Sequence, residues 1–247
     1  MLYDNRVMDL KTNIDNYLEK DFELACNLSE KVFEHAELIQ MLKNGNIQEK
    51  QLAALLLDSV TNDKEGLALV NNLTGCDGKI REAVALKINQ LLNGDAKILN
   101  FFNFPEIFAD ASIDINANIC RLVINSVGIL KNNAEFSEKY LQKILIFINE
   151  TFAEIDKFIF RDKKYVINKQ LFRLYWCLES LKLFVKEIPD EILFPILERA
   201  SKEKEYTIRE KVAQILMLTN SEMYSPLIAT LKNDENYYVR LSAGKIL

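Results

Sequence analysis

A few polar side chains in this sequence have the type and spacing that catalysis needs, but each also has a structural explanation. The chain has one histidine, His35, with no cysteine or second histidine at ligand spacing, which excludes zinc sites and histidine-based triads. Asp110 and Asp114 are four residues apart, so a continuous helix would place them on one face as a general acid and base. They flank the turn region at Ser112, and we interpret them as a helix-terminal residue and a capping acid. The glycine motifs that bind nucleotide phosphates and the serine-hydrolase elbow are absent, so we predict no catalytic residue, cofactor or metal.

The only segment with a site-like composition lies between residues 157 and 173. It contains six basic residues and one acid, a local charge of +5, and its cations alternate with aromatic residues that lead into Trp176. Surfaces that stack nucleic-acid bases have this composition. The binding candidates here are Lys163, Lys164, Lys169 and Arg173. We favour the alternative that the aromatic residues belong to the core while the lysines line a solvated loop, where an acidic or phosphorylated protein could also bind them.

Composition favours a folded helical protein. The 247 residues include 7 Gly and 4 Pro, where average usage predicts roughly 17 and 12, and this shortage argues against a turn-rich all-β chain. Hydrophobic residues make up 49% and charged residues 27%, which excludes both a disordered chain and a membrane bundle. The net charge of -5 gives no overall basic field for nucleic acid, and we expect no contact with a membrane.

The cysteines and the N-terminus indicate a cytoplasmic location. Cys26, Cys76, Cys120 and Cys177 form no C-x-x-C pair, and three of them lie among apolar neighbours, as expected of buried thiols in a reducing compartment. The first residues have neither the cationic nor the apolar region of a secretion signal.

Apolar residues recur at steps of three and four along nearly every long segment, which predicts helices and no strand. The clearest case is residues 135 to 160. Its predicted buried stripe consists of Leu141, Ile144, Leu145, Ile148, Phe152, Ile155 and Ile159. A second example is Ile80, Val84, Ile88 and Leu91. Short polar breaks such as 43–46, 61–63, 93–95 and 131–133 offer Asn or Asp as N-caps and Gly for left-handed C-caps, so a chain of helical hairpins is predicted.

A weak internal repeat of the form [IV]-R-x-x-[VA]-[AG] aligns three of these hairpins. It places Arg81, Arg209 and Arg240 in equivalent positions, while the middle copies carry Asn116 and Asn168. The irregular spacing of the copies is typical of a helical solenoid. Repeats are expected at 1–45, 46–75, 76–112, 113–162, 163–204 and 205–233, with a partial repeat at 234–247, all within one domain spanning 1–247.

The segments 77–84 and 236–243 resemble the HEAT-repeat signature, in which a polar turn precedes an apolar residue, Arg and a small pair. The resemblance implies an all-α, right-handed, armadillo-like α-solenoid of about six stacked helical hairpins. It also implies that Arg81, Arg209 and Arg240 are structural and pair with neighbours such as Asp77, Glu205 or Asp234.

HEAT-like arrays usually bind other proteins, so the resemblance implies a non-enzymatic scaffold or adaptor whose partner is another protein. Polar faces at 135–160 and 190–204 are the expected contact surfaces. The candidate contacts on the long helix are Lys139, Gln142, Lys143 and Glu150.

Two alternatives follow from other proteins with HEAT-like repeats. Compact members resemble alkylpurine DNA glycosylases, which would need a basic groove around Lys163, Lys164, Lys169, Arg173 and Trp176 and a catalytic Asp; the nearest acid after Trp176 is Glu179. Others resemble bilin lyases, although no residue of this sequence specifically favours tetrapyrrole binding.

Overall fold

The computed structural model of the protein describes residues 31–158, 164–219 and 222–246, and these residues form helices and turns without a β-strand. The chain divides into two compact units at Asn103. The predicted all-helical fold is therefore confirmed over the described ranges. None of the described helices combines the length and hydropathy needed to cross a lipid bilayer.

The first unit contains four α-helices and a 3-10 helix within its described residues. They are α1 (His35–Asn44), α2 (Ile47–Leu56), α3 (Asp63–Val70), α4 (Gly78–Gly94) and the 3-10 helix Ala96–Phe102. The predicted polar breaks supply the N-caps, because Asn46, Asn62 and Asp77 accept hydrogen bonds from the first backbone amides of α2, α3 and α4. Helix α2 packs against α1 and α4, while α3 packs against α1 and the 3-10 helix.

The expectation of left-handed glycine C-caps is wrong. No glycine with a described backbone has a positive φ. Gly45 ends α1 in an extended conformation with a φ of -70°, and its amide still donates to the Met41 carbonyl. Gly94 is the last residue of α4, so Asp95 occupies the C-cap position.

The second unit contains eight further α-helices and a short 3-10 helix within its described residues. They are α5 (Pro105–Ala111), α6 (Ala117–Leu130), α7 (Ala134–Phe158), α8 (Lys164–Lys182), α9 (Asp190–Ala200), α10 (Tyr206–Leu216), the 3-10 helix Glu222–Tyr224, α11 (Ser225–Lys232) and α12 (Tyr237–Ala243). Alternate helices form one row, in which α6 packs on α8, α8 on α10 and α10 on α12. Helix α5 packs on α7, and α7 packs on α8. Stacking of alternate helices is the arrangement that buries the apolar faces of helical repeats.

The core of the second unit is built along the buried apolar face of α7. Ile144, Ile148 and Ile155 are buried as predicted, whereas Leu141 and Leu145 are half-buried, and Ile159 lies outside the described residues. The periodicity did not anticipate Tyr140, whose fully buried hydroxyl lies 2.8 Å from Ser112 Oγ and 3.0 Å from Ser180 Oγ. This chain of three hydroxyls joins α5, α7 and α8 and satisfies polar groups that would be costly to bury alone.

Candidate functional site

The long helix α7 exposes most of the residues predicted to contact a partner. Lys139, Gln142 and Glu150 are exposed and Lys143 is half-buried. Lys139 Nζ lies 2.7 Å from Glu135 Oε1, and Gln142 Nε2 lies 3.4 Å from Glu138 Oε1, both within one helical turn. These side chains lie along a single surface because their spacing of three and four residues follows the helix period.

An exposed isoleucine that sequence reasoning missed lies in the middle of this surface. Ile146 is 52% exposed, and the predicted contacts Lys143 and Glu150 lie within one turn on either side of it. We call Lys139, Gln142, Lys143, Ile146 and Glu150 the α7 stripe. The exposure of Ile146 could have been predicted, because Ile146 lies outside the apolar face of this helix that the sequence predicts to be buried.

Phe147 anchors two cations at the base of the stripe. The Arg173 guanidinium from α8 lies 4.8 Å from the centre of the Phe147 ring, and Lys143 Nζ lies 5.1 Å from it. Arg173 Nη2 also donates to Glu150 Oε2 at 2.9 Å. Cation–π contacts of this kind fix both cations on the ring. The α7 stripe is thus joined to α8 through Arg173.

The described residues of the basic segment agree only in part with the core interpretation, because Phe172 is 37% exposed. Lys163 lies outside the described residues, as does the side chain of Lys164, while Lys169 is exposed. Arg173 is neutralised by Glu150. Trp176 is only 6% exposed and packs with Cys120 and Ile124, as the core interpretation expects.

Glu179, the acid nearest to Trp176 in sequence, belongs to an ion-pair network between α8 and α10. It bonds with Lys182 at 2.8 Å and with Lys211. Burial raises the pKa of Glu179, but the hydrogen bonds from Lys182 and Lys211 outweigh burial and lower it. A carboxylate held ionised between two lysines is a structural ion pair rather than a proton donor.

His35 is also engaged, and Cys120 and Cys177 are buried, whereas Cys76 is exposed. His35 Nε2 lies 3.1 Å from Glu65 Oε2 in the first unit. Burial raises the pKa of the Cys120 and Cys177 thiols to about 12, so both stay protonated. Across the described ranges, no group of three His, Cys, Asp or Glu side chains is placed to hold a metal ion.

An open pocket of 540 Å³ lies where α7, α8 and α9 meet the turn before α10. It is lined by Ile155, Asp156, Leu171, Arg199, Lys202, Glu203 and Lys204. Arg199 pairs with Asp156 and lies 5.1 Å from the centre of the Phe152 ring. Burial raises the pKa of Glu203. The predicted contact surface at 190–204 contributes several of these residues, so its charges lie beside an apolar floor.

The repeat arginines share one local geometry. In each case Nη1 donates to the carbonyl oxygens five and six residues earlier: Gly75 and Cys76 for Arg81, Glu203 and Lys204 for Arg209, and Asp234 and Glu235 for Arg240. Each arginine lies four residues after an N-cap, so it fastens the turn to the first turn of the helix that follows.

Arg209 is in addition paired with a carboxylate of the following turn. Arg209 also binds Asp234 through two hydrogen bonds, of 2.7 Å from Nε and 3.0 Å from Nη2. Asp77 and Glu205 instead accept from backbone amides as N-caps. The carboxylate that Arg209 binds therefore comes from the turn of the next repeat.

The placement of Asn116 at the arginine position is wrong. Asn116 is the N-cap of α6, and the residue four positions later is Cys120. Cys120 Sγ lies 3.0 Å from the Asp114 carbonyl oxygen, six residues earlier, so the thiol donates to one of the two carbonyls that the arginine bonds elsewhere. Asp114 itself accepts from the Asn116 amide at 2.8 Å, as Asp234 does from Asn236.

No protein-family model matches the sequence, and no curated protein is recognisably similar to it. Its structure is similar to a computationally designed armadillo repeat protein for modular peptide recognition, with a TM-score of 0.50 and 12% identity over 86% of this chain and 98% of that one. A designed armadillo repeat protein in complex with the peptide (KR)4 gives a TM-score of 0.51 and 12% identity over 87% and 98%. The archaeal HEAT-like repeats protein from Thermococcus onnurineus NA1 gives 0.39 and 10% over 88% and 97%.

These likenesses are structural, because identities near one residue in ten carry information about the fold alone. The two armadillo repeat proteins were designed, the first for modular peptide recognition, and the second is in complex with a peptide. The resemblance expected from the arginine motif is therefore confirmed at the level of the fold. The chain has the all-helical fold of the designed armadillo repeat proteins.

Proposed function

We propose that this protein is a non-enzymatic scaffold or adaptor, and that it binds another protein through the α7 stripe. The observation that carries the proposal is Ile146, half-exposed among long polar side chains on the longest described helix. An apolar centre with a charged rim is the usual composition of a protein-binding patch. The peptide-recognising repeat proteins of the same fold support a protein partner in general.

The polar pairs along the α7 stripe could be replaced by contacts with a bound protein. The Lys139 and Glu135 side chains are 49% and 62% exposed, and Glu150 is 54% exposed. Exposed ion pairs contribute little to stability, so a partner could open them at little cost in free energy. Phe147 would meanwhile keep Arg173 and Lys143 in place. We further propose a cytoplasmic location, which the free thiols of Cys76, Cys120 and Cys177 support.

The proposal predicts that a double substitution in the stripe abolishes partner capture without unfolding the chain. We expect Lys139→Glu with Ile146→Glu to reduce the amount of a retained protein by about tenfold or more, the loss of roughly 1.4 kcal/mol of binding energy. The measurement is quantitative mass spectrometry of proteins retained from an extract of the source cells by the immobilised chain, with circular dichroism of each variant.

The matched control changes a lysine and an exposed aliphatic residue in the other compact unit. Lys97 is exposed and Leu86 is 38% exposed, so Lys97→Glu with Leu86→Glu introduces the same charges on a different surface. Equal retention by the stripe variant and the wild type would contradict the proposal, as would a stripe variant that loses its helical content.

A further inference from the structure

Helix α12 has two of the three residues by which α10 holds α12 at equivalent positions. Counted from the N-caps Glu205 and Asn236, three pairs of residues are equivalent. They are Tyr206 with Tyr237, Arg209 with Arg240, and Glu210 with Leu241. The contacts made by the α10 members therefore indicate which groups would complement the α12 members.

On α10, these three residues bind three features of the following hairpin. Arg209 forms its paired hydrogen bonds with Asp234, two residues before the N-cap of α12. The Tyr206 ring stacks on Tyr238 with centroids 6.2 Å apart, and Glu210 Oε1 accepts from Ser242 Oγ at 3.3 Å. This contact leaves Arg209 only 7% exposed.

On α12, the same three positions are open to solvent. Tyr237 is 61% exposed, Leu241 is 46% exposed and Arg240 is also exposed. Arg240 Nη1 bonds the Asp234 and Glu235 carbonyls, as Arg209 Nη1 bonds its own turn. Its Nε and Nη2 groups, which in Arg209 hold the aspartate, donate no hydrogen bond within the part of the chain that the structure describes. The guanidinium is thus fixed in place with its carboxylate-binding edge facing solvent.

We propose that Tyr237, Arg240 and Leu241 form a docking surface for a helical hairpin of a partner protein that opens with an aspartate turn. The partner's aspartate lies two residues before its helix N-cap and binds Arg240 through both oxygens. Leu241 occupies the position that Glu210 has on α10, where Glu210 contacts Ser242 of α12. Because Leu241 is apolar, the partner carries an apolar residue at the position equivalent to Ser242. The inference rests on the proposed scaffold function, because it gives the chemistry of one protein partner.

The test supplies a hairpin of this chemistry in the same polypeptide. A second copy of residues 217–247 is appended directly after Leu247, which places its aspartate 25 residues after Arg240, the separation of Arg209 and Asp234. We expect hydrogen exchange to show about tenfold or greater protection of amides in the appended copy of α12. Asp234→Asn made in the appended copy alone should remove most of this protection, while Ser242→Ala there should increase it.

Two results would overturn the proposal. One is an appended copy whose amides exchange as fast as those of an unfolded peptide, or whose protection is unchanged by the aspartate substitution. The other is concentration-dependent self-association of the unextended chain in sedimentation experiments that Arg240→Gln abolishes, since a second copy would then be the occupant. Because the appended hairpin replaces any partner, either result leaves the capture experiment on the α7 stripe unaffected.

Discussion

Replacing Gly66 by alanine should destabilise the first unit, although alanine normally favours a helix over glycine by about 1 kcal/mol. Gly66 is buried within α3 and faces the 3-10 helix Ala96–Phe102. A Cβ atom on Gly66 would lie 1.9 Å from the Phe101 carbonyl oxygen and 2.9 Å from its carbon. Both are backbone atoms, so α3 and the 3-10 helix would have to separate. Overpacking costs about 1 to 3 kcal/mol, and we expect a net loss near the upper end of that range.

Hydrogen exchange in the α3 amides measures this loss, and Gly94→Ala is the matched control. Gly94 also lies in a helix of the first unit, but a Cβ atom there would meet nothing within 4 Å. We expect Gly94→Ala to be neutral or stabilising by up to about 1 kcal/mol. If Gly66→Ala and Gly94→Ala had the same effect on the exchange of the α3 amides, the close approach of α3 and the Phe101 backbone would not determine the stability of this unit.

Gly66 shows what the sequence could and could not predict about the fold. The period of the apolar residues predicted α4 and α7, because burial of one helix face leaves a signal that is local in sequence. A single glycine inside a helical pattern indicates only that something approaches closely. The approaching group is the Phe101 backbone, 35 residues later in the chain, and its carbonyl has no side-chain signature. The 3-10 helix that carries it was not predicted for the same reason.

The candidate site was predicted in part, for a related reason. Lys139, Gln142 and Glu150 could be placed on the exposed face because the helix period fixes both faces at once. The periodicity of α7 does not predict the partner of Glu150, because Arg173 lies on another helix, within the basic segment. Residue type does not identify Cys120 as the position equivalent to the arginines, because that position is defined by its distance from the N-cap.

The second large effect is expected from Asp234→Asn. Arg209 and Asp234 are 8% and 10% exposed, and their two hydrogen bonds join consecutive repeats. Removing one partner of a buried pair costs about 3 to 5 kcal/mol because the other charge is left unpaired. Glu235 Oε1 lies 3.3 Å from Arg209 Nη2 and compensates in part, so we expect a loss near about 3 kcal/mol at neutral pH. Denaturant unfolding followed by the fluorescence of the single tryptophan, Trp176, reports on this unit.

The same pair determines how stability should depend on pH. The hydrogen bonds from Arg209 lower the pKa of Asp234 below its ordinary value. A lowered pKa in the folded state means that the stabilisation is complete above the pKa of the unfolded chain, about 3.9, and is lost as the pH falls through the folded value. The free energy of unfolding of the wild type should therefore fall more steeply below about pH 5 than that of Asp234→Asn, and the two curves should converge in acid.

Glu198→Gln, which breaks an exposed pair with Lys202, should change stability by less than about 0.5 kcal/mol. Parallel pH curves for the wild type and Asp234→Asn would show that the carboxylate does not join the repeats energetically. The docking proposed for Arg240 would then lose its precedent, because it assumes that this pairing stabilises the contact between two hairpins.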